Sequence, residues 1–329
     1  SSVMDEFFEI RVAGLKQQEA YGSAQRGPDN LSPTESLRQI SERAHELADT
    51  RDEVYNSDLI PKLNLQGIRI LESNQWNDKQ SQWLKRYFKR ELAPILSPVA
   101  LDPAHPFPEP LKKSLSFIIT LQGDDAFGRK SGKAVLQAPR SLPRVVRLPE
   151  SCAQGPNDFV LLSSIITANC AELFRGMQTL GCYAFRVTRN SDLFVDGEEV
   201  DDLLRALEGE LSSRHYGDAV RLEVGQDCPA ELSAFLSSQF RVAREDIYFC
   251  NGPVNMMRLA AIPDLVERSD LKFPGFNPGI PASLQPGADI FHSIRSGDIL
   301  LHHPFESFVP FIEFLRQAAA DPKVLSIRQ

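Results

Sequence analysis

The sequence predicts a multidomain α and α+β protein, with an N-terminal helical bundle, a larger α+β domain and the first βαβ unit of an α/β domain. Three observations predict this order. Apolar residues recur at helical spacing through the first ~90 residues, strand and helix patterns mix in the middle, and residues 296–329 follow the order strand, helix, strand. We place the domain boundaries at 1–78, 79–282 and 283–329.

Composition limits the class of function. The 329 residues are 42% hydrophobic and 24% charged, which are ordinary globular values, so extensive disorder is not expected. The net charge of −8 argues against a protein that coats nucleic acid or a membrane through bulk positive charge. A local cationic pocket for one anionic ligand remains open.

The five cysteines predict no cross-linked framework. Their number is odd and no C-x-x-C pair occurs, which favours buried free thiols in a reducing compartment over disulfides or a zinc site. No run of about 18 apolar residues predicts a transmembrane segment, and the N-terminus lacks the layout of a signal peptide. The expected location is cytoplasmic, with peripheral attachment at the inner membrane as a variant.

Three helices are predicted near the start. The first is an apolar stripe over residues 4–15. The second begins at Ser32-Pro33-Thr34-Glu35, where a serine cap, a first-turn proline and a glutamate that reaches back to the cap form a helix-start signal. The third follows Asn77-Asp78 and carries an outward basic set, which is more typical of a solvated face than of a site. That set is Lys85, Arg86, Lys89 and Arg90.

The pattern changes after the prolines of residues 94–110. Seven strands are predicted, at 114–122, 133–137, 145–148, 159–162, 182–188, 220–224 and 247–249. Three helices are predicted among them, near 163–179, 200–211 and 229–239. Strands and helices mixed over about 170 residues are typical of one α+β domain. A proline- and glycine-rich segment, 274–286, then leads into the last unit.

The last segment predicts a βαβ unit. Residues 299–301 have the length and apolar character of a short buried strand, and apolar residues at helical spacing occupy 306–320. Asp321-Pro322 ends that helix because proline cannot continue it. Residues 324–327 predict a second strand. A single βαβ unit needs further strands and a covering layer, so we expect the chain to be the front part of a longer protein.

Residues 123–133, GDDAFGRKSGK, resemble a phosphate-binding loop only superficially. The spacing G-x-x-x-x-G-K followed by Ser or Thr is not met, and a strand follows where a helix would be required. Without a helix N-terminus there is no row of free N–H groups for a phosphate. A solvated hairpin loop is therefore favoured.

His302-His303 lies where the first predicted strand of the βαβ unit meets its helix. That position often faces a ligand in open α/β sheets. Metal binding would need further ligands, and adjacent residues on a strand point to opposite faces. A structural role is favoured over a catalytic one.

Arg186 and Thr188 share one face of a predicted strand, and Arg189 follows. Paired arginines can hold phosphate oxygens through bidentate hydrogen bonds. The alternative, of equal weight, is an exposed sheet face with Asp192 and Glu198 as counter-charges.

No catalytic motif of the type G-x-S-x-G or H-E-x-x-H occurs in the sequence. The catalytic motifs alone therefore predict no active site.

Six segments, in order over nearly the whole chain, resemble the bacterial polyphosphate kinase family, the type that makes polyphosphate from ATP. They are MDEFFEIRVAGLK (4–16), LDPAHPFP (101–108), FRVTRNSDL (185–193), GDAVRLEV (217–224), SGDILLHHPFESF (296–308) and FLRQAAADPKVLSIRQ (314–329). Their number and order make this resemblance much more specific than one short motif.

The resemblance implies a helical N-terminal domain, an α+β head domain and two C-terminal domains similar to phospholipase D, the first of which would begin with the βαβ unit here and be truncated. It implies that the γ-phosphate of ATP passes to a histidine and then to a growing polyphosphate chain, reversibly and with Mg²⁺. The catalytic histidines and magnesium-associated arginines would lie beyond Gln329, and neither His302 nor His303 matches them. No catalytic residue and no metal ligand is therefore expected within this chain, which alone is expected to be inactive.

The resemblance places one nucleotide-binding position inside the chain. The family typically has Asn-Leu-Asp-Glu-Phe near its start, and that asparagine contacts the nucleotide. Here the match is Val3-Met4-Asp5-Glu6-Phe7, so Val3 stands at the asparagine position. Valine can pack against a base but cannot form the side-chain hydrogen bond.

The resemblance further implies that this portion helps to form the pocket for ATP and ADP, a passage for inorganic polyphosphate, and a homodimer or higher homo-oligomer. Arg186, Arg189 and Lys133 are the candidates for lining the passage. The alternative is a non-catalytic binding or assembly module, the product of a truncated gene. No nucleic-acid partner is expected.

Overall fold

The computed structural model describes residues 2–22, 26–27, 29–101, 107–123, 132–174, 176–190, 217–285 and 287–328. The chain divides into two compact units, Ser1–Val266 and Glu267–Gln329. The three domain boundaries predicted from the sequence stay a prediction.

The N-terminal helices are continuous runs in which α-helix alternates with single π-helical turns. They are α1 (Ser2–Phe7), a turn (Phe8–Val12) and α2 (Ala13–Ala20), then α3 (Pro33–Val54), a turn (Tyr55–Leu59) and α4 (Ile60–Leu65). The predicted cap of α3 is present in full. The Ser32 hydroxyl accepts from the Glu35 N–H at 3.3 Å, and the Glu35 carboxylate accepts from the Ser32 N–H at 2.8 Å. The first two predicted helices are therefore confirmed.

The third predicted helix is α5 (Asp78–Tyr87), which continues through a π-helical turn (Phe88–Leu92). Its inward face is formed by Leu84, Phe88 and Leu92, all fully buried. They pack in the core of the large sheet. The stability of this helix therefore depends on the sheet beneath it, because tertiary packing of an apolar face is the main source of helix stability in proteins.

The large sheet has six strands in the order β2-β4-β3-β7-β8-β9. Their bounds are β2 (Val99–Ala100), β3 (Ser116–Gln122), β4 (Lys133–Gln137), β7 (Gln178–Arg189), β8 (Ala219–Gly225) and β9 (Ile247–Cys250). β3 and β4 pair antiparallel, as the predicted hairpin requires. Most of the loop between them, residues 124–131, lies outside the described residues.

A βαβ unit does occur, but in the middle of the chain. β8 leads through helix α7 (Ala230–Phe240) to β9, and β8 and β9 are parallel neighbours. The sequence predicted all three elements as parts of an α+β domain without their parallel pairing. The sequence could not predict the pairing of β8 with β9, because pairing depends on which strands lie side by side in the fold, whereas the apolar pattern indicates only local burial.

Successive residues of each strand face opposite sides of the large sheet, and both sides are covered. Ile119 and Leu136 pack with α5 and with helix α6 (Leu162–Asn169). Ile118 and Phe185 pack with α7 on the other side. Burial on two faces explains why β3 is an almost continuous apolar run in the sequence.

A second, three-stranded sheet has the order β1-β6-β5, with bounds β1 (Ile68–Ile70), β5 (Val145–Arg147) and β6 (Asn157–Leu161). The sequence did not predict β1, which is only three residues long. A bidentate ion pair joins β1 to β6: Arg69 donates to Asp158 at 2.7 and 2.6 Å. Asp158 is fully buried and also accepts two backbone N–H groups, from Gln154 and Gly155.

Two of the predicted helices in the middle of the chain have other outcomes. The helix predicted over 163–179 ends at Asn169, and strand β7 already begins at Gln178. The helix predicted over 200–211 lies outside the described residues. All five cysteines are free and buried, as predicted.

The second unit contains helices α9 (Ile290–Ser296) and α10 (Val309–Ala320), after the short α8 (Ile262–Leu265) that ends the first unit. The helix predicted over 306–320 is confirmed and ends before Asp321. The two predicted strands are wrong: residues 299–301 and 324–327 have no strand structure. A strand needs a hydrogen-bonded neighbour, and Leu300 and Leu325 are instead 88% and 97% exposed.

Within the part of the chain that the structure describes, no helix is both long enough and apolar enough to cross a membrane.

Candidate functional site

A cluster of buried charges lies where β7 and β8 run side by side. In the antiparallel register, Arg186 is opposite Glu223 and Thr188 is opposite Arg221. Residues two apart on a strand share a face, so these four side chains form one polar patch on a sheet that is otherwise apolar. Arg186 is 1% exposed and Arg221 is 2% exposed. Charges buried so deeply must be paired, because leaving them unpaired in a medium of low polarity costs several kcal/mol each.

The N-terminal helix α1 supplies the second acid of the cluster. Asp5 is 1% exposed and accepts from both terminal nitrogens of Arg186, at 2.5 and 3.1 Å. This is the bidentate geometry that suits a guanidinium and a carboxylate. The same Asp5 carboxylate accepts from Arg221 at 2.5 Å. One aspartate on the first helix therefore joins both strands of the sheet.

Glu223 completes the pairing from within the sheet. Its carboxylate accepts from the Arg186 Nε at 2.5 Å and from Arg221 at 3.3 Å. The Asn255 side-chain oxygen accepts from the Arg186 Nη1 at 3.3 Å. Two acids and two arginines give the core of the cluster no net charge.

Aromatic rings surround Arg221. Its guanidinium lies 4.6 Å from the centroid of the Phe8 ring and 5.7 Å from that of Tyr248. Such contacts are attractive because the ring face carries negative potential. Phe8 belongs to the same N-terminal helical run as Asp5, so that run contacts the sheet through both charge and apolar area.

The long helix α3 contacts the cluster through residues near its C-terminal end. Arg51 lies 3.7 Å from Glu223 and donates to Asp52 at 2.7 Å. Asp52, 2% exposed, accepts from the Asn251 backbone N–H at 2.7 Å. Helix α3 is thus fixed to the loop after β9 by the hydrogen bond between the Asn251 backbone and Asp52.

The arginines keep the acids ionised. Burial opposes the charged form of Asp5, but the hydrogen bond and charge of Arg186, with those of Arg221, outweigh it and lower the pKa of Asp5. For Glu223, burial is likewise outweighed by the charges of Arg221 and Arg186, so its pKa is also lowered. The cluster is therefore a set of ion pairs. At neutral pH it contains no protonated carboxyl group that could act as an acid, and its two carboxylates are weak bases.

The structure places Arg186 and Arg189 differently from either sequence interpretation of that face. The face that carries Arg186 and Thr188 is buried, with Asp5 and Glu223 as counter-charges, and is not the exposed face that the alternative assumed. Arg189 lies on the other face of β7, where Glu109 is its counter-charge. Asp192 and Glu198, the counter-charges named there, lie outside the described residues. The exposed alternative is wrong because helix α1 covers the sheet at this point, 181 residues away in sequence from Arg186.

The other two passage candidates lie apart from the cluster. Arg189 is 4% exposed, donates to the Gly217 carbonyl oxygen at 3.0 Å and forms an ion pair with Glu109. Lys133 begins β4 and is half-buried, with its ammonium 4.9 Å from the centroid of the Phe235 ring. The structure therefore does not gather Arg186, Arg189 and Lys133 into one site.

Val3 is 80% exposed on α1. It lies on the opposite side of the helix from the buried Asp5 and Phe8, with Phe7 and Ile10 as further exposed apolar residues at 41% and 51%. The helix thus has one anchored face and one free apolar face in the described part of the chain.

His302 and His303 lie in a turn before α10. The His302 backbone N–H donates to the Glu306 carboxylate at 2.7 Å, and the His303 ring nitrogen lies 2.8 Å from the Glu306 carbonyl oxygen. Both rings contact phenylalanines, Phe305 and Phe308. These local contacts are those of a structured turn, and the structural role favoured from the sequence stays a prediction.

The residues that the structure describes contain no group of three or more His, Cys, Asp or Glu side chains that could hold a metal ion.

The basic face of α5 is solvated: Lys85 and Lys89, each more than half exposed, pair with Glu172 at 2.9 and 3.1 Å.

Sequence reasoning did not single out Asp5, Arg221 or Glu223. One signal was present: Arg221 and Glu223 alternate with apolar Val220, Leu222 and Val224. Charges on one face of a strand whose other face is apolar indicate either solvent or a paired cluster. The sequence alone could not identify the partner of these charges, because Asp5 is 216 residues away from Arg221.

Comparison with known families identifies three successive domains along the chain. The profile of the polyphosphate kinase N-terminal domain matches residues 1–71, that of the middle domain matches 79–262, and that of C-terminal domain 1 matches 289–329. The chain belongs to the polyphosphate kinase family. The family resemblance stated from six sequence segments is thereby confirmed.

Relatives named polyphosphate kinase match over the full length of the chain. The protein of Pseudomonas syringae pv. tomato is 51% identical, that of Pseudomonas aeruginosa 49%, and that of Neisseria meningitidis serogroup B 48%. The chain covers 45%, 48% and 48% of those proteins, so it spans about half the length of the curated relatives it matches. These matches do not favour the alternative of a non-catalytic binding or assembly module from a truncated gene.

A solved structure shares the fold. The crystal structure of polyphosphate kinase from Porphyromonas gingivalis superposes with a TM-score of 0.69 at 20% identity, over 98% of this chain and 44% of that one. The predicted multidomain α and α+β class is therefore confirmed.

Proposed function

We propose that this chain is the N-terminal part of an enzyme that reversibly transfers the γ-phosphate of ATP to polyphosphate through a phosphohistidine. The observation that carries the proposal is the match of three family domains in order, supported by relatives near 50% identity over the whole chain. The phospho-accepting histidine and the Mg²⁺ ligands are assigned to sequence beyond residue 329. We propose a cytoplasmic location.

In this proposal the chain positions and supports the nucleotide. The buried Asp5–Arg186–Arg221–Glu223 cluster fixes one face of α1 to the head sheet. Its other face, with the exposed Val3, then becomes a wall for the adenine base. Preorganising such a wall lowers the conformational cost of binding.

The candidates for a polyphosphate passage have unequal support. Arg186 directs its guanidinium into ion pairs and is 1% exposed, so we assign it a positioning role. Lys133, at the start of β4, is the more accessible cation and remains the better candidate for contact with a polyanion. Homo-oligomer formation is proposed from the family alone.

The test is ATP-dependent polyphosphate synthesis by the 329-residue chain beside a chain continued to the length of its relatives. We expect synthesis from the longer chain alone. Synthesis by the 329-residue chain would contradict the assignment of the chemistry beyond residue 329 and would make His302 and His303 the residues to replace.

A second experiment tests the nucleotide wall in the longer protein. Val3→Asn restores a side-chain amide, which we expect to lower the KM for ATP by up to about tenfold, the value of one net hydrogen bond. Val54→Asn, at a position that is 51% exposed, is the matched control. An equal effect of both substitutions would contradict a nucleotide contact at Val3.

A further inference from the structure

Arg144 is a half-buried arginine that has no acidic partner among the residues the structure describes. It precedes β5, and its Nε and Nη1 are buried atoms that find no hydrogen-bond partner within the described part of the chain. Its remaining nitrogen, Nη2, donates to the Ala138 carbonyl oxygen at 3.2 Å. A guanidinium carries five N–H donors and is always charged, so most of its hydrogen-bonding capacity is left for something else. This contrasts with Arg186 and Arg221, whose charges are balanced within the fold.

A second arginine shares the same cleft. Arg258 lies on a short 3₁₀ helix (Met256–Ala261) that follows Asn255. Together with Arg144 it lines a small cleft that encloses about 20 Å³ and is otherwise open to solvent. Among the described residues neither arginine forms an ion pair, and no acidic side chain lines the cleft. Arg140, exposed, is a third cation nearby.

Burial and the neighbouring positive charges lower the pKa of Arg144. Burial is the largest cause, followed by the charges of Arg258 and Arg140, and the pKa falls to about 10. Like charges close together in a partly desolvated cleft repel one another. An anion in the cleft would remove this repulsion and supply the acceptors that Arg144 lacks.

The first turn of α6 completes the cleft. The backbone N–H of Leu162 donates to the Arg144 carbonyl oxygen at 2.9 Å, which fixes Arg144 beside the start of α6. Ser163, the next residue, lines the cleft. N–H groups in the first turn of a helix have no intrahelical acceptor, and the helix dipole there favours negative charge.

We propose that this cleft binds a single phosphoryl group, held by the guanidinium groups of Arg144 and Arg258 and by the first turn of α6. The cleft has two cations and the start of a helix but no acidic side chain among its lining residues, which favours a doubly charged anion as the ligand. The planar guanidinium group matches the oxygens of phosphate. The adjoining cleft shares Leu161 and Ser163 but contains Glu72 and Asp227. Those acids would repel a long polyanion, so the site takes one phosphoryl group, either orthophosphate or the end of a larger phosphate compound.

The experiment measures phosphate binding without turnover, so its outcome is independent of the proposed function. The Tm of the 329-residue protein is followed while orthophosphate replaces sodium chloride at constant ionic strength. A ligand that binds only the folded state raises the Tm in proportion to its affinity. We expect a Tm increase in the wild type and an affinity at least about tenfold weaker in Arg144→Gln and in Arg258→Gln, as expected for the loss of charged hydrogen bonds.

Two controls separate binding from folding. Arg90→Gln removes the same charge at a position that is 81% exposed and should leave the phosphate effect unchanged. Without phosphate, Arg144→Met should have a Tm equal to or above that of the wild type, because it removes a buried cation that has no counter-charge. A lower Tm for Arg144→Met would indicate a merely structural arginine and contradict the site.

Parallel titrations identify the source of the phosphoryl group. Orthophosphate, ATP and linear polyphosphate are compared, and any of them whose binding depends on Arg144 supports the site and names its ligand. Acetate tests the charge argument and should bind at least about tenfold more weakly than orthophosphate. The proposal is overturned if none of the three phosphates shows Arg144-dependent binding, or if Arg90→Gln weakens binding as much as Arg144→Gln.

Discussion

At the scale of single residues, Asp5 is the side chain on which the N-terminal helix depends. It is the one carboxylate of that helix that contacts both Arg186 and Arg221. A buried ion pair adds little net stability when it is complete, since desolvation offsets the attraction, but breaking it leaves a buried charge unpaired. The effect of replacing Asp5 should therefore be large even though the cluster is not a strong source of stability.

We expect Asp5→Asn to lower the free energy of unfolding by about 3–5 kcal/mol, because two buried arginines then share one carboxylate. Urea unfolding of the 329-residue protein measures this. Glu6→Gln, the neighbouring and exposed acid, is the matched control and should change stability by less than about 0.5 kcal/mol. Equal losses in the two variants would show that Asp5 does not anchor the helix.

The cluster also predicts how stability depends on pH. The pKa values of Asp5 and Glu223 are lowered in the folded state from ordinary values of 3.8 and 4.5. Their contribution is therefore present above about pH 4.5 and is lost as the pH falls through the lowered values, since the unfolded state then binds more protons.

Urea unfolding from about pH 6 to pH 3 should give a steeper loss of stability for the wild type than for Asp5→Asn. The comparison of the two proteins cancels the opposite contribution of Asp246, whose pKa is raised mainly by burial. Parallel curves for the wild type and Asp5→Asn would contradict ionised Asp5 in the folded state.

At the scale of elements, structure that depends on contacts within a few residues could be predicted from the sequence, whereas strand pairing between distant residues could not. The start of α3 was predicted because Ser32 and Glu35 interact within one turn. The strands 299–301 and 324–327 were predicted from apolar character alone and are wrong, because a strand also needs a neighbour. β1 was missed since three residues show no reliable alternation, and its pairing with β6 depends on Arg69 and Asp158, 89 residues apart.

The cap of α3 gives a prediction at this scale. Ser32→Ala removes the acceptor of the Glu35 N–H, and we expect it to lower the free energy of unfolding by about 1 kcal/mol. Ser36→Ala, four residues into the same helix, is the control and should be neutral or slightly stabilising because alanine is the better helix former. Chemical unfolding of both variants distinguishes a cap from a general effect of serine in this region.

At the scale of the whole molecule, the family could be predicted from the sequence and the site could not. Six ordered segments sufficed for the family because they report common ancestry over the whole chain. The residue type of Arg186 predicts a phosphate contact, but its burial beneath α1 is a property of the tertiary fold. Arg144 and Arg258 are 114 residues apart in sequence (258 − 144), and no local pattern indicates that they line one cleft.

The central claim is that this chain supports the chemistry without performing it, and phosphate labelling tests it most directly. The 329-residue chain and the chain continued to the length of its relatives are each incubated with ATP labelled at the γ-phosphate, and acid-labile label on the protein is mapped to peptides. We predict label in the longer chain only, on a histidine beyond residue 329, and unchanged labelling when His302 and His303 are both replaced by alanine. Label on His302 or His303, or any acid-labile label on the 329-residue chain, would contradict the claim.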